Sequence, residues 1–229
     1  MAHLLGAEAL HLEFPTRVVF DSLTVGIEEG DRIGIVGRNG DGKSSLLAML
    51  GGRLKPDSGR VTVRGGVRIG MLDQADTLDH TDTVGHAVVG DVPEHEWAGD
   101  PRGRDVIAGL LGDLDWNAVI GTLSGGQRRR VALARLLAGD DDVLILDEPT
   151  NHLDIESREA LVEALTEYSG AVILVSHDMH LLGLVADRLW LVKGGAVAPY
   201  ASDLETYRKE LLQGDEPAKA AEKPKEKAP

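Results

Sequence analysis

A glycine-rich segment carries the clearest chemical signal in the sequence. It precedes Ser45 and consists of Gly37-Arg38-Asn39-Gly40-Asp41-Gly42-Lys43-Ser44. Glycines at this spacing let backbone N–H groups converge on phosphate oxygens, and the N-terminus of a following helix favours the same negative charge. Lys43 would reach the β- and γ-phosphates of a nucleotide, and the Ser44 hydroxyl would bind Mg²⁺. This Walker A pattern predicts a nucleotide-binding loop.

Two adjacent carboxylates supply a second chemical signal. Asp147 and Glu148 follow the apolar run Val143-Leu144-Ile145-Leu146, which is typical of a strand buried on both faces. At the end of such a strand Asp147 would hold Mg²⁺ through water, and Glu148 would accept a proton from the attacking water. The loop and the carboxylate pair together indicate hydrolysis of a nucleoside triphosphate with Mg²⁺ as its cofactor.

Composition narrows the classes of protein that remain. The chain has 229 residues, 42% of them hydrophobic, which is enough for a sizeable core. It contains no cysteine, so disulfides and thiolate chemistry are excluded. A formal net charge of −14 and an aromatic content of 3% argue against a dedicated nucleic-acid binder. No segment approaches the roughly 18 to 20 apolar residues of a membrane-spanning helix, so we expect a cytoplasmic protein without membrane insertion of its own.

The elements that position these residues alternate between strands and helices. Residues 7–36 predict short strands, and residues 60–73 predict a hairpin that turns at 64–67. Residues 75–122 predict a small, mostly helical insert, because Asp, Gly and Pro are frequent there. Periodicity predicts the remaining strands at 142–147 and 171–175 and the helices at 43–50, 125–138 and 155–167. This alternation indicates an α/β layered fold.

A third motif makes the chain resemble a known family. It precedes the predicted helix at 125–138 and consists of Leu123-Ser124-Gly125-Gly126-Gln127, which is similar to the signature of ABC ATPases. The resemblance covers roughly residues 4–212. It implies an ABC-type P-loop NTPase in residues 1–213, with a RecA-like core, an N-terminal antiparallel β subdomain and a helical subdomain at about 75–138. Residues 214–229 contain almost nothing to bury and predict a disordered tail.

The resemblance also assigns roles to isolated residues. Gln74 matches the Q-loop glutamine, which senses Mg²⁺ and the attacking water. His177 matches the switch histidine that donates a hydrogen bond to the γ-phosphate, and Asp154 matches the D-loop, which crosses the dimer interface. Phe14 stands where ABC proteins stack an aromatic ring on adenine, although either Phe14 or Phe20 could instead belong to the core. In this family the signature of one domain binds the ATP held by another, so a second ABC domain is the implied partner.

One segment is similar to the ABC-F family, whose members lack transmembrane domains. It consists of Asp147-Glu148-Pro149-Thr150-Asn151-His152-Leu153-Asp154. Many ABC-F proteins act on the ribosome near tRNA, so the resemblance implies a translation role. Family members normally have two ABC domains. This chain has one set of motifs, and residues up to about 150 look like a first domain while residues 155–212 look like a second. A homodimer, a missing second half, or a fragmentary or recombined chain all fit this pattern.

Two other functions stay open at this point. The chain could be the nucleotide-binding subunit of a transporter, docked on a separate membrane permease through the surface near Gln74. It could also be a nucleotide-binding module without catalysis, although Lys43, Asp147, Glu148 and His177 are all present. The basic run Arg128-Arg129-Arg130 predicts a solvated or nucleotide-neighbouring face, with RNA contact as the alternative.

Overall fold

The computed structural model describes residues 2–72 and 78–200, together with Leu204, Thr206, Tyr207 and Lys209. Its strands are β1 (His3–Phe14), β2 (Arg17–Glu28), β3 (Arg32–Val36), β4 (Ser58–Val63), β5 (Ile69–Leu72), β6 (Val143–Asp147), β7 (Ala171–Val175), β8 (Arg188–Lys193) and β9 (Ala196–Tyr200). Its α-helices are α1 (Lys43–Leu50), α2 (Val84–Val89), α3 (Glu94–Trp97), α4 (Pro101–Leu111), α5 (Gly125–Ala138), α6 (Ile155–Glu167) and α7 (Met179–Val185). A short 3₁₀ helix covers Ile120–Thr122. The tail predicted at 214–229 lies outside the described residues.

A six-stranded sheet forms the centre of the molecule, in the order β5-β6-β7-β3-β8-β9. The first five strands in this order pair in parallel, and β9 closes the edge antiparallel to β8. Every residue of β6 and β7 is buried, as the continuous apolar runs predict. The predicted α/β layered fold is confirmed. Because parallel strands end at the same edge, the residues that follow β3, β6 and β7 meet there.

Alternate residues of the central strands pack into two separate cores. Leu144, Leu146 and Leu174 face the layer that contains α4 to α7. Ile145 and Ile173 face the opposite layer, where α1 and the three-stranded sheet β2-β1-β4 cover them. This antiparallel sheet is the N-terminal β layer expected from the sequence. The nucleotide loop therefore lies in a rigid position, with its strand and its helix both anchored in the core.

The hairpin predicted at 60–73 is wrong. A turn does form, since Val67 N donates to Arg64 O at 3.1 Å, but the two strands enter different sheets. β4 pairs antiparallel with β1, whereas β5 pairs parallel with β6. The residues of β4 are largely exposed, which suits the edge of the small sheet, while Gly70 and Leu72 of β5 are buried beside β6. The chain thus crosses from the β layer to the central sheet within five residues.

The basic run at the start of α5, expected on a solvated or nucleotide-neighbouring face, is buried only at its third residue. Arg130 is 9% exposed and donates to both carboxylate oxygens of Asp113, at 2.6 and 2.9 Å. The hydrogen bonds from Arg130 lower the pKa of Asp113. Arg128 donates to Leu123 O at 2.8 Å, and Arg129 reaches back to the end of β6. These arginines hold the helical layer together.

No helix within the described part of the chain is both long enough and apolar enough to cross a membrane.

Candidate nucleotide-binding site

The glycine-rich loop connects β3 to α1, as predicted. Gly42 has φ 101°, and a Cβ there would lie 2.5 Å from Val19 Cγ1. Gly37 has φ 153°, and a Cβ there would collide with the carbonyl oxygen of Val192. Both positions therefore require glycine. Asp41 accepts a hydrogen bond from Arg38 N at 2.9 Å, which closes the loop on itself. These contacts within the chain fix the shape of the loop.

Lys43 lies under this loop and is 8% exposed. Its Nζ donates to Gly37 O at 2.9 Å and to Arg38 O at 3.1 Å. Burial lowers the pKa of Lys43 below 10.5, and the charges of Glu148, Asp41 and Asp147 oppose that shift. The ammonium group is thus held among carboxylates and carbonyls, where phosphate oxygens would replace the two carbonyls as acceptors.

Asp147 ends β6 and is 4% exposed. Its Oδ1 atom is buried and makes no hydrogen bond within the described part of the chain. Leaving a buried carboxylate oxygen unsatisfied is costly, so a position of this kind calls for a ligand. The Ser44 side chain lines the same cleft. A hydroxyl and a carboxylate are oxygen donors that Mg²⁺ prefers, so the residues present fit a magnesium site.

Glu148 has an unusual backbone conformation and is 9% exposed. Its φ of 48° is left-handed, and its N–H donates to Val175 O at 2.9 Å across the strand ends. Strain of this kind typically costs about 1 to 3 kcal/mol and clusters at functional sites. It turns the carboxylate toward β7 and the residues after it. The position of the side chain is therefore imposed by the backbone.

His177 follows β7 and contacts the same carboxylate. Its backbone N–H donates to Glu148 Oε2 at 3.2 Å, and its Nε2 lies 3.4 Å from Glu148 Oε1. The same Nε2 lies 3.2 Å from Asn39 Oδ1, so His177 joins the glycine-rich loop to the carboxylate pair. Three separate segments of the sequence thereby meet at one point.

A cleft of about 350 Å³ collects these groups at the carboxyl edge of the sheet. Its lining residues are Asn39, Gly40, Gly42, Lys43, Ser44, Ser45, Asp147, Glu148, Asn151, Val175 and His177. Sequence reasoning missed Asn151 as a lining residue, although its N–H donates to Glu148 O at 3.2 Å in the turn after the strand. Its position three residues after Glu148 was the available signal. The size and polarity of the cleft suit a phosphorylated small molecule.

Phe14 lies near this loop without belonging to either core. It pairs with Arg17 at the end of β1, and the Arg17 guanidinium donates to Gly40 O. Its ring is 48% exposed, whereas Phe20 is fully buried under Gly42. Of the two aromatic residues considered from the sequence, only Phe14 is exposed enough to stack on a base.

The signature residues Ser124 to Gln127 lie outside the lining of the nucleotide cleft. Ser124 caps α5: its Oγ accepts from Gln127 N at 3.3 Å, and its own N–H donates to Gln127 Oε1 at 2.9 Å. Ser124 and Gly125 are exposed, and a Cβ on Gly125 would meet nothing within 4 Å. Gly126 approaches His152 O. Within the described residues, the lining of the nucleotide cleft includes none of these groups.

Asp154 is likewise outside the lining of the cleft. It caps α6 by accepting from Ser157 N at 2.8 Å, and this backbone hydrogen bond lowers the pKa of its carboxyl. The next residue, Ile155, is 76% exposed. Gln74, assigned from the sequence to Mg²⁺ and the attacking water, lies outside the described residues.

Arg129 is a residue whose contact the sequence did not predict. It belongs to α5, two positions after Gln127, and its guanidinium donates to Asp147 O at 2.8 Å and to Glu148 O at 3.4 Å. It thus connects the signature helix to the strained peptide that carries both carboxylates. No local sequence pattern predicts a contact between Arg129 and Asp147, which are 18 residues apart in sequence.

Comparisons with known proteins agree with this geometry. A family model described as ABC transporter matches residues 20–151. The chain is 36% identical over 212 residues to the probable ATP-binding protein YheS of Escherichia coli (strain K12). The matched region covers 91% of this chain and 33% of that protein. It is 38% identical over 207 residues to ABC transporter F family member 5 of Arabidopsis thaliana, covering 87% of this chain and 29% of the relative.

A third relative is the energy-dependent translational throttle protein EttA of Escherichia coli O6:H1, with 34% identity over 213 residues. The matched region covers 90% of this chain and 38% of the relative. The chain therefore spans about a third of the length of these curated relatives. Among solved structures, a protein titled RNase-L Inhibitor superposes with a TM-score of 0.78 at 26% identity, covering 93% of this chain and 42% of that one. The ATP-binding subunit of an ABC transporter superposes with a TM-score of 0.76 at 18% identity, covering 91% and 93%, which shows a shared fold.

Proposed function

Because this chain belongs to the ABC transporter family of ATP-binding domains, we propose that it hydrolyses MgATP, and does so within a pair of domains. One observation carries the proposal of hydrolysis. The buried Oδ1 of Asp147, which has no hydrogen-bond partner within the described residues, and the carboxylate of Glu148, whose backbone is strained, line the same cleft as Lys43 and Ser44. A cleft that only stored nucleotide would have no need of a second carboxylate beside the first.

Binding of the triphosphate falls to the loop and its lysine. Backbone N–H groups between Gly37 and Ser45 hold the phosphates, and Lys43 exchanges its carbonyl acceptors for phosphate oxygens. Ser44 and Asp147 would hold Mg²⁺, with Gln74 as a further proposed contact. When bound, the ion neutralises charge on the phosphate oxygens. Phe14 stacks on the adenine ring from the adjacent strand end.

Proton transfer falls to Glu148. Its carboxylate accepts the proton of the attacking water while the His177 N–H, 3.2 Å away, keeps it aimed into the cleft. The His177 ring, now directed at Asn39, then donates to the γ-phosphate. Asn39 serves as the acceptor for the ring in the absence of phosphate, and both residues line the same cleft.

A second ABC domain completes the site. Ser124 to Gln127 form the N-terminus of a 14-residue helix, whose N–H groups and dipole favour an anion. Ser124 and Gly125 are exposed, and none of the four residues lines the chain's own cleft within the described residues, so they serve the ATP of a partner. Asp154 and the exposed Ile155 belong to the same contact. A two-fold pairing gives each site the loop of one domain and the signature of the other.

Mixing two inactive variants tests this arrangement. Ser124→Arg keeps the loop but obstructs the signature, and Lys43→Ala keeps the signature but loses the phosphate clamp. Each alone should release almost no phosphate from ATP. An equimolar mixture should recover about one quarter of the wild-type rate, since random pairing makes half of the dimers mixed and each of those holds one complete site. If both variants are folded and the mixture stays inactive while wild type hydrolyses ATP, a composite site is excluded.

Arg129 should affect the rate of hydrolysis more than the binding of ATP. Arg129→Ala removes the two hydrogen bonds that fix the Asp147 and Glu148 carbonyls, and misplacement of a catalytic group by a fraction of an ångström lowers kcat by about ten- to a hundredfold. KM for ATP should change less than about twofold, because the contacts that bind ATP equally in the ground state and the transition state are unchanged. Arg135→Ala, an exposed arginine in the last turn of the same helix, is the matched control. A loss of ATP binding equal to the loss of kcat would contradict a positioning role.

We further propose an ABC-F-type role, in which closure of the domain pair drives a change on the ribosome. The support is the set of relatives named as F family members and a translational throttle, at 34 to 38% identity. Sedimentation of the purified chain with ribosomes in MgATP would support the role. Co-purification with a membrane permease instead would replace it with transport.

A further inference from the structure

A second cavity lies in the helical layer, apart from the nucleotide cleft. Its volume is about 410 Å³. We call it the tryptophan pocket and define it by the six of its eight lining residues that are not glycine: His86, Val89, Val92, Glu94, Trp97 and Trp116. The Trp97 and Trp116 rings stack with centroids 5.1 Å apart and planes inclined by 29°. Within the described residues, none of these six lines the nucleotide cleft, so the pocket has no role in the proposed chemistry.

The pocket is built from fixed parts. Gly85 N donates to Trp116 O at 2.9 Å, and the Trp116 indole packs so closely on Gly85 that a Cβ there would collide with it. Thr83 caps the helix that carries His86, accepting from His86 N at 3.3 Å. The aromatic surface is therefore preorganised, which reduces the entropy lost when a ligand binds.

The charge around the pocket is strongly negative. Residues 78–118 contain nine carboxylates and two arginines. Both arginines are engaged elsewhere: Arg102 donates to Gly139 O at 2.6 Å and lies over the Tyr168 ring, and Arg104 pairs with Asp105. Glu94 lines the pocket itself. A cation that entered would meet no fixed positive charge from either arginine.

His86 is the titratable cation at the pocket wall, and two carboxylates flank it. Its Nδ1 lies 2.7 Å from Asp82 Oδ1, and its Nε2 lies 3.4 Å from Asp91 Oδ1. The hydrogen bond to Asp82 raises the pKa of His86, with further help from Asp91. Even when protonated, the imidazole is outweighed by these neighbours, so the pocket remains attractive to a second cation.

We propose that the tryptophan pocket binds an arginine side chain of a basic protein partner. A guanidinium group stacks on indole faces and pairs with a carboxylate at the same time, which matches the Trp97–Trp116 pair beside Glu94. The aliphatic stem of the arginine packs on Val89 and on Val92, which is 45% exposed. Nucleic acid fits less well, because its phosphates would be repelled by the surrounding carboxylates. The inference is independent of ATP hydrolysis.

A binding titration with matched variants tests the proposal. Fluorescein-labelled hexa-arginine is titrated with the full chain at physiological salt, and anisotropy gives Kd. Glu94→Gln should raise Kd by up to about fivefold, the usual strength of an exposed ion pair. Trp97→Leu should raise Kd about fivefold, the usual strength of an exposed cation–π contact. Glu96→Gln removes the same charge from the same helix, but Glu96 is outside the six lining residues, so Kd should change less than about twofold.

The two glutamate variants decide between a pocket and general attraction. Equal weakening by Glu94→Gln and Glu96→Gln would overturn the proposal, because the peptide would then be held by the net charge of −14 alone. Tight binding of oligouridine that Trp97→Leu abolishes would overturn it in favour of nucleic acid. Glu94→Gln keeps the proposal testable if Trp97→Leu fails to fold, as judged by circular dichroism.

Discussion

Glu148→Gln should reduce ATP hydrolysis by about two to four orders of magnitude and leave ATP binding intact. The amide has the shape of the carboxylate but cannot accept the proton of the attacking water, and general base catalysis is typically worth that factor. The His177 N–H still finds an oxygen acceptor, so the local structure should persist. If two copies pair as proposed, blocked hydrolysis should leave ATP between the two domains and hold them together. Phosphate release measures the first effect, and gel filtration with and without MgATP measures the second.

The matched control for this substitution is Glu163→Gln on the exposed face of α6, which removes the same charge far from the cleft. It should hydrolyse ATP at the wild-type rate. A Glu148→Gln chain that elutes as a monomer in MgATP would argue against ATP-dependent pairing of this chain with itself. A variant that keeps wild-type hydrolysis would argue against Glu148 as the base.

Lys43→Ala should weaken ATP binding by about ten- to a hundredfold. A hydrogen bond to a charged group contributes about 1.5 to 3 kcal/mol, and the buried Nζ of Lys43 is the group best placed to make one with the phosphates. Hydrolysis should fall further, since the lysine also stabilises the charge that develops during phosphoryl transfer. Calorimetric titration with ATP in the Glu148→Gln background, where ATP is not consumed, gives the affinity directly.

Lys55→Ala provides the control, because Lys55 is exposed and lies outside the lining of the cleft. It should bind ATP as tightly as its parent. If Lys43→Ala bound ATP as well as Lys55→Ala does, the backbone N–H groups of the loop alone would account for the affinity. The clamp assigned to Lys43 would then be wrong.

The sequence predicted the elements whose signal is local. Strands β6 and β7 follow from continuous apolar runs, and α5 follows from helical periodicity over the stated bounds. The partners of a strand are not a local property. Residues 60–73 carried two strand patterns and a turn, yet the two strands joined different sheets. The largely exposed β4 lies at the edge of the small sheet, and the more buried β5 lies beside β6 in the central sheet.

The candidate site also contains residues that local motifs identify and contacts that only the tertiary structure reveals. Spacing was enough to identify Lys43 and Glu148, since the loop and the strand end are contiguous motifs. Spacing could not reveal the φ of 48° at Glu148, nor that Arg129 would bond the carbonyls behind it. Those facts depend on how α5 packs against the sheet. The charge of Arg128 to Arg130 suggested a surface, and tertiary contacts bury Arg130 while Arg128 and Arg129 stay partly exposed.

The unsatisfied Oδ1 of Asp147 has a consequence for heat resistance. A buried acceptor that makes no hydrogen bond within the described residues costs a folded domain about 1 to 3 kcal/mol, a sizeable part of its total stability. Ligands that bind only the folded state add stability in proportion to the logarithm of their concentration, and an ion at Asp147 would also remove this penalty. The domain is thus least durable when it is free of nucleotide. In a cell with abundant MgATP, occupancy would protect the chain from unfolding and proteolysis as well as ready it for catalysis.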